Sequence, residues 1–155
     1  MVVRKGVEWG DEVERPADLL VASSDAELAS LLADGTDRPL AVDGGDLCRT
    51  VGGLRSAARV QRVDVDVLRV VADGAELVAV AHVVARAPRW RGGPWRGPIV
   101  AVSNTEHVGR LDVAPRAHPN DGRADVLEVT RMSLRQRFNA WRRLPTGTHV
   151  PHPAI

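Results

Sequence analysis

The decisive stretch of this chain is VSNTEHVGRLDVAPRAHPNDGRADV, which spans Val102 to Val126. It opens at the end of an apolar strand, turns at Asn104 and continues as a short strand from Leu111 to Pro115. The tight loop Asn120-Asp121-Gly122 follows, because Asn and Asp accept tight backbone angles and Gly has no Cβ to clash. This succession of short strands and turns predicts a β-rich region.

More strands are predicted on both sides of this stretch. From Arg62 to Val67 valines alternate with aspartates, which indicates a strand with one buried face. The turn Ala72-Asp73-Gly74 joins it to a partner strand, so a hairpin is expected. The partner strand runs from Glu76 to Arg86. The later strands of this mainly antiparallel sheet run from Pro98 to Ser103 and from Ala124 to Thr130.

The first part of the chain has a strand–helix–strand pattern. An apolar strand from Asp18 to Ser23 precedes Ser24 and Glu27, whose spacing predicts a capping box in which Glu27 reaches back to Ser24. The helix stops at Gly35, and the next strand runs from Pro39 to Val42. The residues on the apolar face of the helix are Leu28, Leu31 and Leu32. A Gly-rich turn at residues 43–46 then leads into a short helix bounded by glycines.

A second capping box, formed by Ser133 and Gln136, predicts a helix near the C-terminus. Its apolar members fall at helical spacing and are expected to face the sheet, with the basic face turned to solvent; they are Leu134, Phe138, Trp141 and Leu144. The predicted fold class is α+β. A small strand–helix–strand unit, residues 1–55, precedes a β-rich domain, residues 56–155, in which a mainly antiparallel sheet or sandwich carries one packed helix.

Composition limits the partners and the compartment. The 21 basic and 20 acidic residues leave a net charge of +1, so the overall charge gives no reason to expect nucleic acid or an anionic membrane as a partner and leaves only local charged patches open. Cys48 is the only cysteine, which excludes an intrachain disulfide and favours a reducing compartment. No window approaches the roughly 20 apolar residues of a membrane span. A cytoplasmic protein without a transmembrane segment is therefore expected.

Several residues of the decisive stretch resemble a known family. They stand in the order of a segment that recurs in the diacylglycerol kinases, in their soluble bacterial branch of lipid kinases, and they are Asn104, Gly109, Ala114-Pro115, Asp121-Gly122 and Asp125-Val126. The resemblance implies the β-rich C-terminal domain of such a kinase, with residues 1–55 as the remnant of a nucleotide-binding domain. An active member would be an ATP-dependent transferase that phosphorylates a diacylglycerol-type lipid.

The resemblance also implies a magnesium site. In the similar kinases the Asp-Gly loop holds the ion through the Asp carboxylate and nearby carbonyls. Carried onto this chain, the ligands are the carboxylate of Asp121 and the main-chain carbonyls of His118 and Arg123. Mg²⁺ is a hard cation and prefers such oxygen ligands. An ion there would order the loop and would not by itself transfer a phosphoryl group.

A nucleotide site is implied at two places. Residues 44–46 resemble the start of the family's Gly-Gly-Asp-Gly-Thr loop, whose backbone N–H groups bind the ATP phosphates. A second alignment, to the family segment G-T-x-N-D-x-A-R-x-x-G, matches Asp46, Leu47, Arg49, Thr50 and Gly52. The other place is the family's Asn turn, which corresponds to the turn that begins at Asn104 in this chain. The nucleotide-binding residues expected from the resemblance are Gly44, Gly45, Asp46, Thr50, Asn104 and Gly109.

Two parts of the kinase machinery have no match in this chain. Leu47 and Cys48 replace the Gly and Thr of the phosphate loop. The similar kinases continue past the element Gly147-Thr148-His149 into strands whose Asp-Gly-Glu motif supplies the general base, and phosphoryl transfer depends on positioning a nucleophile against bound nucleotide. No catalytic residue is therefore assigned. We expect a catalytically degenerate, lipid-kinase-like pseudoenzyme with a ligand-binding or regulatory role.

Two alternatives stay open at this point. One is an active lipid kinase completed by a second copy, and unpaired sheet edges left by absent strands would favour such a homodimer. The other is a phospholipid- or RNA-binding module that uses the loop from Arg89 to Gly97, where two Trp rings alternate with three Arg.

Overall fold

The computed structural model of the protein describes residues 10–52, 58–130 and 132–149. They form two units. Unit 1 comprises the described residues up to Ala81 together with His118–Arg123, and unit 2 comprises His82–Ala117 and the described residues from Ala124 onward. The predicted division after residue 55 falls among residues 53–57, which lie outside the described part, and it stays a prediction.

Unit 1 contains the predicted strand–helix–strand order. Its elements are β1 (Asp11–Glu14), β2 (Leu20–Ala22), α1 (Asp25–Ala33), β3 (Leu40–Val42), α2 (Gly45–Val51), β4 (Arg59–Arg62), β5 (Leu68–Ala72) and β6 (Ala75–Ala79). Strands β2 and β3 pair in parallel, which requires a crossover, and α1 supplies it. Strands β1 and β4 form an antiparallel pair. The core of the unit consists of Ala22, Leu28, Val42, Leu47, Val80 and Ala81.

The start of α1 differs from the prediction in one contact. Ser24 caps the helix, since its side chain accepts the Glu27 N–H at 3.2 Å. The Glu27 carboxylate, however, accepts from the backbone N–H and hydroxyl of Ser23, at 2.8 and 2.6 Å, and these bonds lower its pKa. The return arm of the box therefore reaches one residue further back than predicted. Gly35 ends the helix region with a φ of +68°, as expected.

The predicted strand from Arg62 onward is wrong between residues 63 and 67. Strand β4 ends at Arg62 and β5 begins at Leu68. Between them Asp66 binds the Pro119–Gly122 loop: its N–H donates to the Pro119 carbonyl and its carboxylate accepts the Gly122 N–H, both at 2.7 Å. These bonds replace strand pairing, so the alternation of Val and Asp did not indicate a ladder here.

The hairpin that follows is confirmed, but its second strand is shorter than predicted. Strands β5 and β6 pair around Asp73 and Gly74, both with positive φ, which suits the right-handed twist of a tight hairpin. The predicted strand from Glu76 to Arg86 breaks at Val80 and Ala81. These two residues are buried in the core of unit 1, and the chain then enters unit 2.

Unit 2 is built on an antiparallel sheet. Its elements are β7 (His82–Arg86), α3 (Gly93–Arg96), β8 (Ile99–Ser103), β9 (His107–Val108), β10 (Leu111–Asp112), β11 (Asp125–Val129) and α4 (Leu134–Arg143). The strand order is β11-β8-β7, and β9 pairs with β10 as a separate hairpin. Together with unit 1 this confirms the α+β fold class. The loop predicted at residues 88–97 contains α3 and a 3-10 turn at Arg89–Arg91.

The capping box of α4 is confirmed, with Ser133 and Gln136 bonding in both directions. The predicted inward face is wrong. Leu134, Phe138 and Trp141 are 54%, 53% and 49% exposed, whereas Arg137 is only 6% exposed. Within the described residues no helix has the length and apolar content that crossing a membrane requires.

Candidate functional site

The Gly-rich turn before α2 is closely packed against the chain around it. A Cβ added to Gly44 would lie 2.2 Å from the Ser23 carbonyl oxygen, so only glycine allows the turn to lie so near the end of β2. Gly45 has a φ of +95°, which a residue with a side chain rarely adopts. Its added Cβ would meet the Asp25 carboxylate at 2.4 Å. The glycines therefore bring α2 against the first turn of α1.

Asp25 occupies the backbone donors of this turn. One carboxylate oxygen accepts the Asp46 N–H at 2.7 Å, and the other accepts the Leu47 N–H at 3.1 Å. N–H groups at a helix start are the kind of donor that binds phosphate elsewhere. Here an internal carboxylate holds two of them, and a phosphate would have to displace it.

Asp46, Thr50 and Cys48 also have structural roles in α2. Asp46 is buried and lies 3.9 Å from Arg49, and the Thr50 hydroxyl donates to the Asp46 carbonyl at 3.0 Å. Burial, with smaller effects from Asp43 and Asp25, raises the pKa of the Cys48 thiol. The reactive thiolate is therefore disfavoured.

The remaining two nucleotide candidates belong to unit 2. Asn104 is fully buried just after β8. Gly109 sits in the turn between β9 and β10 with a φ of +63°, and nothing lies within 4 Å of an added Cβ. Thus Gly44, Gly45, Asp46 and Thr50 share one turn and helix of unit 1, whereas Asn104 and Gly109 come from the other unit.

The loop predicted to bind magnesium is fixed by carboxylates. Asp121 accepts the Arg123 N–H at 3.0 Å, and Asp66 accepts the neighbouring Gly122 N–H. At the start of the loop the Asn120 N–H donates to the His118 ring at 3.2 Å. Asp66, which lies between β4 and β5, is a further acidic residue in contact with this loop, and the sequence did not assign it to the site. Among the described residues no three His, Cys, Asp or Glu side chains come together as a metal-binding group.

Unit 1 also contains an apolar cavity of about 650 Å³. Its lining includes Leu19, Leu28, Leu32, Val42, Leu47, Val51, Val65, Val67 and Val80. Arg59 and Arg62 also line it, and they pair across the β1–β4 ladder with Glu12 at 2.7 Å and Asp11 at 3.0 Å. The cavity therefore suits an apolar guest better than a charged one.

In unit 2 the buried Arg137 cross-links three segments of backbone. Its guanidinium donates to the carbonyls of Pro94 at 2.5 Å, Gly97 at 2.7 Å and Thr130 at 3.1 Å. Sequence analysis placed this arginine on a solvated face. Helical spacing could not show that the 88–97 loop presents carbonyl groups that only a long cation could satisfy.

The last described residues are held against β10. The buried His149 ring bonds the Val113 carbonyl at 3.1 Å, and burial lowers its pKa despite that bond and the nearby Asp112. Gly147, with a φ of +63°, leaves room for the Asp112 carboxylate, which an added Cβ would meet at 2.4 Å. The Gly147-Thr148-His149 element is therefore a structural anchor of unit 2.

A comparison with family models matches residues 46–155 to the YegS C-terminal NAD kinase beta sandwich-like domain. That match covers more than two thirds of the chain. The chain belongs to this family. No curated protein and no solved structure matches the chain. At this coarse level the resemblance to lipid kinases seen in the sequence is supported, while its diacylglycerol-specific part is not.

The YegS C-terminal domain match contains some of the candidate residues and not others. Asp46, Thr50, Asn104, Gly109 and the 118–123 loop lie inside it, together with Arg137 and the Gly147–His149 anchor. Gly44, Gly45 and Asp25 lie before its first residue. The family assignment therefore rests mainly on unit 2, and the assignment of nucleotide and magnesium ligands stays a prediction.

Proposed function

We propose that this protein is a lipid-kinase-like domain of the diacylglycerol kinase type that binds an apolar lipid ligand and does not transfer phosphate. The family match supports the lipid-kinase-like part. The observation that carries the degenerate part is the Asp25 carboxylate, which occupies the N–H groups of Asp46 and Leu47. An ATP phosphate at this turn would meet a negative charge where a binding loop offers donors.

The cavity of unit 1 supports a ligand-binding role. Its volume of about 650 Å³ lies within the roughly 300–1,000 Å³ range of small-molecule sites, and its lining is largely apolar. A flexible hydrocarbon chain would gain about 0.8 kcal/mol for each CH₂ group that it buries. An acyl chain is therefore the part of a lipid that this cavity would accept.

In this proposal magnesium has one role, as an ion that the 118–123 loop binds. The Asp121 carboxylate with the His118 and Arg123 carbonyls is a suitable oxygen set for the ion. The Asp66 and Asp121 carboxylates accept hydrogen bonds from backbone N–H groups, and these bonds already order the loop. Bound magnesium would supply charge neutralisation there, and the loop residues themselves would position the ion.

Calorimetry with ATP, with and without Mg²⁺, tests the degenerate site. We expect no heat of binding at millimolar ATP, because Asp25 must be displaced first. Micromolar, Mg²⁺-dependent binding would contradict the proposal. If light scattering then showed a dimer, that result would favour the active kinase completed by a second copy.

Titration with a fluorescent fatty acid tests the cavity. Val67 lines the cavity and Val71 does not, although both are exposed valines of unit 1. Val67→Trp should weaken binding about tenfold or more by filling the cavity, and Val71→Trp should leave it unchanged. Equal affinity in both variants, or no binding by the unsubstituted protein, would reject the apolar ligand site.

A further inference from the structure

The exposed side of α4 is an apolar stripe. Leu134, Phe138 and Trp141 are spaced by four and three residues, so they share one face of the helix, and about half of each side chain is exposed. This face is turned outward because Arg137, on the neighbouring side of the helix, is the residue that packs inward. Large apolar side chains grouped on a surface mark an interaction site more often than scattered ones do.

The loop before β8 extends this stripe with two tryptophans. The ring of Trp95 lies 5.9 Å from that of Trp141, so α3 and α4 join in one aromatic surface. Trp90 is 77% exposed, and the Arg91 guanidinium lies 4.5 Å from its ring centroid. We call Trp90, Trp95, Leu134, Phe138 and Trp141 the aromatic surface of unit 2.

The two segments of sequence that contain the aromatic surface have arginines and no acidic residues. The segments 86–98 and 131–149 contain nine arginines and no Asp or Glu, in a chain that has 20 acidic residues. Seven of these arginines are exposed: Arg86, Arg89, Arg91, Arg96, Arg135, Arg142 and Arg143. A net charge near zero therefore conceals a strongly cationic region, and its partner should be anionic.

A second pocket, of about 520 Å³, is formed by residues that adjoin both parts of this surface in the sequence. It is lined by Arg96, Pro98, Thr130, Met132, Ser133 and Arg137. Arg96 follows Trp95, and Ser133 precedes Leu134. Arg96 is exposed, whereas the Arg137 guanidinium is occupied by backbone carbonyls, so Arg96 is the cation of this pocket that suits a phosphate headgroup.

We propose that the aromatic surface of unit 2 docks on an anionic lipid bilayer. Trp and Arg side chains are favoured at the membrane interface, where rings enter the headgroup layer and guanidinium groups bind phosphates. A second copy of this chain would bring two cationic surfaces together, which repel. RNA would use the Trp rings for stacking but offers nothing apolar to Leu134 and Phe138.

The docking surface rests on the proposed function only in expecting a lipid partner. It involves neither the Asp25 turn nor the cavity of unit 1. Vesicles without diacylglycerol and without ATP therefore test it separately. Vesicle binding without fatty-acid binding would support the docking surface and reject the cavity as a ligand site. Fatty-acid binding without vesicle binding would support the cavity and reject the docking surface.

Co-sedimentation with phosphatidylcholine vesicles, pure or with about 30% phosphatidylglycerol to make the surface anionic, is the test. We expect binding only to the anionic vesicles and weaker binding in high salt. Phe138→Ser with Trp141→Ser should reduce affinity at least tenfold. Val84→Ser with Val126→Ser, also exposed apolar residues of unit 2, is the matched control and should bind normally.

A second pair of variants tests the charge. Arg142→Gln with Arg143→Gln should weaken binding about tenfold or more, since each arginine near an anionic surface contributes about 1 kcal/mol. Arg110→Gln with Arg116→Gln removes the same charge from exposed sites elsewhere in unit 2 and should have a much smaller effect. Equal losses in both pairs, tighter binding to single-stranded RNA than to vesicles, or a dimer abolished by the Phe138 and Trp141 substitutions would each overturn the proposal.

Discussion

Unit 1 and unit 2 use charge in opposite senses to hold a glycine-containing turn. In unit 1 an acid, Asp25, accepts two backbone N–H groups at the start of α2. In unit 2 a base, Arg137, donates to three backbone carbonyls of the 88–97 loop and the end of β11. In both cases a charged side chain satisfies main-chain groups that regular secondary structure leaves unpaired.

The difference lies in what each arrangement leaves for a ligand. Asp25 uses up donors, so the turn of unit 1 loses the groups that would attract an anion. Arg137 uses up acceptors and turns α4 so that its apolar side chains face outward, which gives unit 2 a surface for a partner. The turn of unit 1 is thereby closed to an anion, whereas unit 2 gains a surface for a partner.

The largest effect is expected from Arg137→Met. The substitution keeps the apolar stem but leaves the carbonyls of Pro94, Gly97 and Thr130 without their donor, at a cost of about 3 kcal/mol. Urea unfolding followed by tryptophan fluorescence measures it. Arg135→Met, on the exposed side of the same helix, should stay within about 0.5 kcal/mol. Similar values for the two would show that the Arg137 cross-link does not stabilise unit 2.

A smaller loss is expected from Asp25→Ala in unit 1. Two hydrogen bonds to a charged acceptor disappear, so we expect about 2 kcal/mol of destabilisation in urea unfolding followed by circular dichroism. Asp37→Ala removes an exposed carboxylate of the same unit and should change stability by no more than about 0.5 kcal/mol. Equal losses of stability in the two variants would contradict the conclusion that the Asp25 carboxylate stabilises the turn of unit 1.

Substitutions at two glycines, one at each end of α2, separate the effect of the Asp25 contact from that of backbone strain. Gly45 and Gly52 have φ values of +95° and +92°, but only at Gly45 would an added Cβ meet Asp25. Both alanine variants should lose about 1 kcal/mol from backbone strain. Gly45→Ala should lose about 1 kcal/mol more, because the Asp25 carboxylate must move. Thermal unfolding of both variants gives the difference, and equal losses would count against a tight contact.

The smallest expected effect is a pH dependence from His149. Burial lowers its pKa in the folded protein, so the unfolded chain binds a proton more readily than the folded chain does. Stability should therefore fall as pH drops below about 6.5, the ordinary histidine value, towards the lowered pKa. Unfolding of the protein and of His149→Gln from pH 7.5 to 5 measures this, and the variant should show the shallower dependence. Parallel curves would contradict it.

Sequence patterns predicted the elements of this fold better than their contacts. The strands β8 and β11, the crossover helix α1 and both helix caps follow from periodicity and capping residues, which act over a few positions. The strand predicted at residues 63–67 failed because Asp66 bonds a loop more than 50 residues later. Local alternation carries no information about such a partner.

The candidate site shows the same limit. The Gly-Gly-Asp turn and the Asp-Gly loop were found from short motifs, and both are turns in the structure. Asp25 and Arg137, which decide what those regions can bind, were not assigned, because Asp25 binds backbone groups 21 and 22 residues away and two of the three carbonyls that Arg137 binds are 40 and 43 residues away. The aromatic surface was only half found: the Trp loop was noted, whereas the apolar face of α4 was expected to be buried.

The bonds between Asp66 and the 118–123 loop have a consequence for biosynthesis. During translation residue 81, the last residue of the first segment of unit 1, is synthesised well before Pro119 and Gly122. Until then the Asp66 N–H and carboxylate have no partners in that loop, and half of unit 2 has already emerged. Unit 1 therefore cannot complete its folding from its own first segment, and a gene cut after codon 81 would encode an unfinished unit.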